Sequence, residues 1–227
     1  VGLPGLPAHG HPLGALHVAH TLGEGLAFIA PFVEGAERVT VRWQAGQPYP
    51  CGSCYSNDQI SLGGQLEDPD EYDDAIILHE LGHWFVDHFS DDDSPGGSHR
   101  DRQVSPTLAY GEGLAYFFAA MIRDAPGLVD NFLGSARHID LEAVTQQGEP
   151  RADLRGTVDG TVAGDHREEI VAGVMWDVYD GPSEAEPFDQ VSIGVDGHMA
   201  IFTEDFGGRG RPDVGAPGID LADWLEA

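Results

Sequence analysis

The sequence predicts an α+β domain, and three observations carry that reading. Four segments bear helix start or stop signals, around 12–30, 68–89, 106–124 and 167–179. Two short stretches alternate or run apolar as strands do. No internal repeat or domain linker interrupts the 227 residues, which are enough to bury a sizeable core. The expectation is one domain over 1–227, with an upper lobe of about 12–90 and a lower, mainly helical lobe of about 100–227.

Taken in order, the first 11 residues are rich in Gly and Pro and read as an extended lead-in. Pro12 opens a helix that Pro31 stops, within which His17 and His20 read as surface or packing residues. Residues 38–44 alternate as a strand with Val39, Val41 and Trp43 inward, and 59–64 form a second, weaker strand. Asp68 as cap, Pro69 at the first helical position and Glu71 in a capping-box arrangement start the next helix, which runs through Phe89 into the polar loop at 90–97. Ser105 and Pro106 give another cap-plus-proline start, for a helix to about 124. A helix at about 167–179 ends at Asp180-Gly181-Pro182, and 221–225 is a short helical piece in an otherwise loop-rich tail.

Charge narrows the function classes. There are 39 acidic residues against 11 basic ones, all arginine, for a net charge of −28. Such a surface repels nucleic acid and anionic membranes. It reads as a solubility device, for a salty medium or one rich in divalent cations. Acidic loops also make calcium a candidate ion, with Asp91 to Asp93 the obvious stretch, although a solvated turn is the simpler reading. No apolar run is long enough to span a bilayer, and the N-terminus lacks the pattern of a signal peptide, which could have been removed. Cys51 and Cys54 have no second cysteine pair to complete a metal site, so they read as a loop disulfide, pointing to a secreted or extracytoplasmic protein.

The chemistry lies in His79-Glu80-Leu81-Gly82-His83, an H-E-x-x-H motif. Residues four apart share a helix face, so both imidazoles reach one ion, and zinc suits them. Glu80 is near enough to take a proton from a water activated at the metal without ligating itself. The competing reading is a pair of surface histidines.

A catalytic zinc needs a third protein ligand. Glu112 is the best candidate, because Leu108, Ala115, Ala119 and Ile122 place it on the apolar stripe of its helix. A buried carboxylate is costly unless paired or metal-bound. Pairing with Arg102 or Arg123 is the alternative. Gly111 and Gly113 flank it, each costing about 1 kcal/mol in a helix, which suggests close approach of another backbone.

The motif, with Glu112 inside Gly111-Glu112-Gly113-Leu114-Ala115, resembles the gluzincin metallopeptidases, the thermolysin-like and fungalysin-like enzymes. The stretch 168–180 is similar to the helix that follows in fungalysin-like proteins, so the resemblance covers roughly 58 to 181. It implies a zincin-like fold with a small mixed sheet over the active-site helix, zinc held by His79, His83 and Glu112, and endopeptidase activity through Glu80. It also implies an oxyanion-stabilising histidine or tyrosine in the lower lobe. His166 is the candidate there, with Tyr110 and Tyr179 behind it. Two further features follow from the resemblance: the 59–64 strand as a free edge for an extended peptide, and an aspartate four residues after the ligand glutamate. The second is absent, since Tyr116 stands there. Gly97-Ser98-His99 reads first as a solvated loop and second as cleft lining.

The function expected is zinc-dependent hydrolysis of a peptide or protein substrate. The alternative is a non-catalytic zincin-like binding or structural module that keeps the metal site.

Overall fold

Helix α1 (Pro12–Ile29) opens the part of the chain that the computed structural model describes: residues 12–36, 38–99, 104–132, 135–142, 145–146, 149–150, 167–181, 190–207 and 218–227. The expected lead-in lies outside these residues. Val18, Leu22 and Ile29 form the buried stripe of α1 at helical spacing. Gly25 lets it close on the next long helix, since a Cβ there would come within 2.3 Å of a Leu81 methyl carbon.

Three short strands follow, β1 (Val41–Trp43), β2 (Cys54–Ser56) and β3 (Gln59–Leu62). β3 takes the middle, parallel to β1 and antiparallel to β2, which makes the sheet mixed. The strand expected over 59–64 is therefore not a free edge, because both of its sides are paired. The edges are β1 and β2, and the alternation signal missed β2. It turns back into β3 through Asn57 and Asp58, both left-handed (φ 50° and 58°), residue types that tolerate that conformation. A disulfide between Cys51 and Cys54 closes the loop that leads into β2.

The expected start of the next helix is displaced. Asp70–Tyr72 makes a single 3-10 turn, and α2 runs Asp74–Phe89. Asp68, the expected cap, instead accepts from Gln65 Nε2 at 3.1 Å. Asp73 takes the N-cap position, yet its carboxylate accepts the backbone N–H of Asn131 at 2.8 Å and the Asn131 side-chain amide. A tertiary cross-link thus replaces the local cap. Asp74 receives Thr21 Oγ1 at 2.9 Å, His17 Nε2 at 2.9 Å and the Arg123 guanidinium, tying α1, α2 and α3 together.

Helix α3 (Pro106–Arg123) starts as the sequence predicts, with Ser105 Oγ accepting the Leu108 N–H at 3.3 Å. Every residue from Leu108 to Met121 is buried. α3 lies between α2 and α4 (Glu168–Asp180), and the Phe85 and Phe118 rings stack at 4.8 Å across the first of those interfaces. A second sheet, β4 (Gly127–Phe132), β5 (Ser135–Asp140), β6 (Thr145–Gln146) and β7 (Glu149–Pro150), is antiparallel throughout. α5 (Gly194–Ala200) runs on as a π-helical segment, Ile201–Phe206. α6 (Leu221–Glu226) is held by a capping box between Asp220 and Asp223. The fold is α+β, with the mixed sheet packed on α2. No helix among the described residues is long and apolar enough to cross a membrane.

Candidate metal centre

His79 and His83 stand one turn apart on α2, and Glu112 faces them from α3. The two Nε2 atoms are 3.1 Å apart, and Oε2 of Glu112 lies 3.2 Å from His79 and 3.3 Å from His83. Ligands at about 2.0–2.1 Å from a tetrahedral ion are separated by roughly 3.3–3.4 Å, so the three atoms already fit a zinc-sized cation. The glycines make this approach possible. A Cβ on Gly82 would meet the Ala115 Cα at 3.1 Å, so α2 and α3 cross beside His79, His83 and Glu112. A Cβ on Gly113 would meet the Glu168 carbonyl oxygen at 2.7 Å, the close backbone that the sequence suggests. At Gly111 the neighbours are the Asp92 carboxylate and Ser94.

Burial and opposite charges compete across the site. Burial raises the pKa of Glu80, against the pull of the two histidines. Burial would raise Glu112 as well, but hydrogen bonds from His79 and His83 hold its carboxyl well below the usual range. For His83, burial opposes the charged form, yet Glu112, with Glu80 and Asp92 behind it, lifts the pKa to about 9. Arg123 is not the partner of Glu112, since it pairs with Asp74. Arg102 lies outside the described residues.

The triad opens into a cleft of about 1150 Å³, bordered by β2, the Cys51–Cys54 loop and the 90–99 loop. On one wall Asp68, Asp70 and Asp130 bring carboxylate oxygens within 4.8 Å of one another. Burial pushes Asp70 up to about 8, against the Ser53 hydroxyl that donates to it. The calcium expectation for Asp91–Asp93 finds no support. Asp92 accepts the Ser94 N–H at 3.2 Å and Asp93 the Ile219 N–H at 2.9 Å, so the turn serves the backbone rather than converging on an ion.

The oxyanion candidates fare differently. His166 lies outside the described residues. Tyr110 is fully buried against Phe206, and the Tyr179 hydroxyl donates to Asp124 at 2.9 Å; neither lines the cleft. Tyr116, where the resemblance calls for an aspartate, packs its ring 4.4 Å from that of His79. His79 Nδ1 is buried without a hydrogen-bond partner among the described residues, so the ring is positioned by packing.

His99 is the residue that the sequence undervalues. It lines the cleft, its Nδ1 is 2.5 Å from Oε2 of Glu168, and its Nε2 is 3.7 Å from Oε2 of Glu112. Glu168 beside it is the main cause of its raised pKa. The partners are 69 positions apart, so no local pattern could announce the pair.

No curated protein and no solved structure shows significant similarity to the chain. Residues 32–216, which include α2, α3 and α4, match the family model described as the Mycolysin C-terminal domain. That stretch is most of the chain, and the chain belongs to the mycolysin C-terminal domain family, a family of metallopeptidase context.

Proposed function

We propose that the chain is a gluzincin-type zinc metallopeptidase that hydrolyses peptide bonds of a peptide or protein outside the cytoplasm. One observation carries the reading: three ligand atoms converge from α2 and α3 on one point of an open cleft, with the carboxylate of Glu80 buried one residue from the first. His79, His83 and Glu112 are the ligands. Zinc, when bound there, supplies a Lewis acid that polarises a carbonyl and lowers the pKa of water. Glu80 accepts the proton of the attacking water and passes it to the leaving amine. The outer edge of β2 offers backbone pairing to an extended substrate. The cleft would then mark the division between an upper lobe of about 12–90 and a lower lobe of about 100–227.

The rival is a binding or structural module that keeps the metal site. The presence of Glu80 argues against it, because that carboxylate serves chemistry rather than folding, and burying it without a role is costly. The test is zinc content beside casein hydrolysis for the native chain and for Glu80→Gln. Stoichiometric zinc in both, with cleavage only in the native chain, is expected. Zinc without cleavage in either favours the module, and no zinc after its addition rejects the metal centre.

A further inference from the structure

Amide hydrolysis drives negative charge onto the carbonyl oxygen, and a donor preset at that position accelerates it by about 10²–10³-fold. Resting on the peptidase reading above, we propose that His99 is that donor and that Glu168 positions it.

The Nε2 of His99 reaches to 3.7 Å from Oε2 of Glu112, beside the ligand triangle. It is not a corner of that triangle, for it groups with Glu112 and Glu168 rather than with His79 and His83. Its Nδ1 is engaged by Glu168 at 2.5 Å, a charge-assisted contact that fixes the ring plane and leaves Nε2 for substrate. The carboxylate cannot easily withdraw: Glu168 is buried in the first turn of α4, whose backbone is pressed against α3 at Gly113. The imidazole itself stays accessible, with its side chain 32% exposed. The donor therefore comes from the loop between the two ligand helices.

The water oxygen forms a bond to the carbonyl carbon as its proton passes to Glu80. The carbonyl π pair moves to oxygen, which receives the hydrogen bond from His99 Nε2–H. When that pair returns, the C–N bond breaks and Glu80 gives the proton to the departing amine.

The test uses the zinc-loaded chain and fluorescein-labelled casein, with His99→Ala, His99→Gln and Glu168→Gln compared for zinc content, melting, kcat and KM. His99→Ala is expected to keep zinc and fold, leave KM unchanged, and lower kcat by about 100-fold. His99→Gln, which retains a side-chain N–H, recovers part of that loss. Glu168→Gln lowers kcat less, again at constant KM; a purely structural residue would shift melting or KM instead. An unchanged kcat in folded, zinc-loaded His99→Ala overturns the proposal, and so does loss of zinc, which would make His99 a ligand. A native chain that holds zinc but cleaves nothing overturns the peptidase reading and this proposal with it, whereas an active native chain with active His99→Ala overturns this proposal alone.

Discussion

Gly113 of α3 faces Val171 of α4 so closely that a Cβ on the glycine would lie 2.5 Å from the Val171 Cβ. A glycine in mid-helix costs about 1 kcal/mol relative to alanine. Here it lets α4 bring Glu168 to His99 and to the wall of the cleft.

Gly113→Ala is therefore expected to destabilise the protein by about 1–3 kcal/mol, despite its better helix propensity, because neither the Val171 Cβ nor the Glu168 carbonyl can yield without moving α4. Urea melts measure this. A stabilised variant would mean that the two helices are free to separate.

Metal removal has a defined signature. A ligand that binds only the folded state raises the melting temperature by mass action. Dialysis against chelator is expected to lower it, and stoichiometric zinc to restore it. Glu112→Ala removes a third of the ligand set, so its melting temperature should respond to neither treatment. A full zinc response in that variant would show that Glu112 is not a ligand.

Asp70 sets a pH dependence of stability. Its pKa rises from an ordinary 3.8 to about 8 in the folded chain, chiefly through burial. The folded state thus binds the proton that the unfolded state has lost, and stability falls as pH rises from about 4 through 8. Asp70→Asn keeps an acceptor for the Ser53 hydroxyl. Its melting temperature should exceed that of the native chain at pH 9, with the difference vanishing near pH 4. Equal profiles would refute the assignment.

His198 acts in the opposite direction. It is fully buried, stacked 5.3 Å from the Trp224 ring and flanked by Phe117 and Phe202, and burial lowers its pKa from 6.5 to about 4. The unfolded chain takes the proton first, so this contribution is complete above about pH 6.5 and is lost on acidification towards 4. Tryptophan fluorescence should report loosening of α6 in that window. His198→Gln, which does not titrate, should flatten the acid limb.

Local patterns carried the two helices of the candidate centre. The motif spacing, the Ser105-Pro106 start and the apolar stripe around Glu112 are all near-neighbour signals, and α2 and α3 follow them. Where tertiary contacts override local chemistry the sequence is silent. Asp73 reads as one acid among many until Asn131 claims its carboxylate, which leaves the N-cap of α2 without a side-chain hydrogen bond. β4 and β5 were not legible because polar residues such as Asp130, Asn131 and Arg137 interrupt their alternation. Gly194 and Gly197 hid α5 by lowering its helix propensity. The His99–Glu168 pair depends on helix packing alone.

The burial of α3 has a kinetic consequence. Protein segments exchange amide hydrogens at rates set by the cheapest opening that exposes them, and a helix covered along its length opens only with the whole domain. Glu112 rides on that helix, whereas His99 precedes it in the chain and keeps its side chain 32% exposed. The α3 amides are therefore expected to exchange only when the whole domain unfolds, so the Glu112 carboxylate keeps its place for as long as the fold persists.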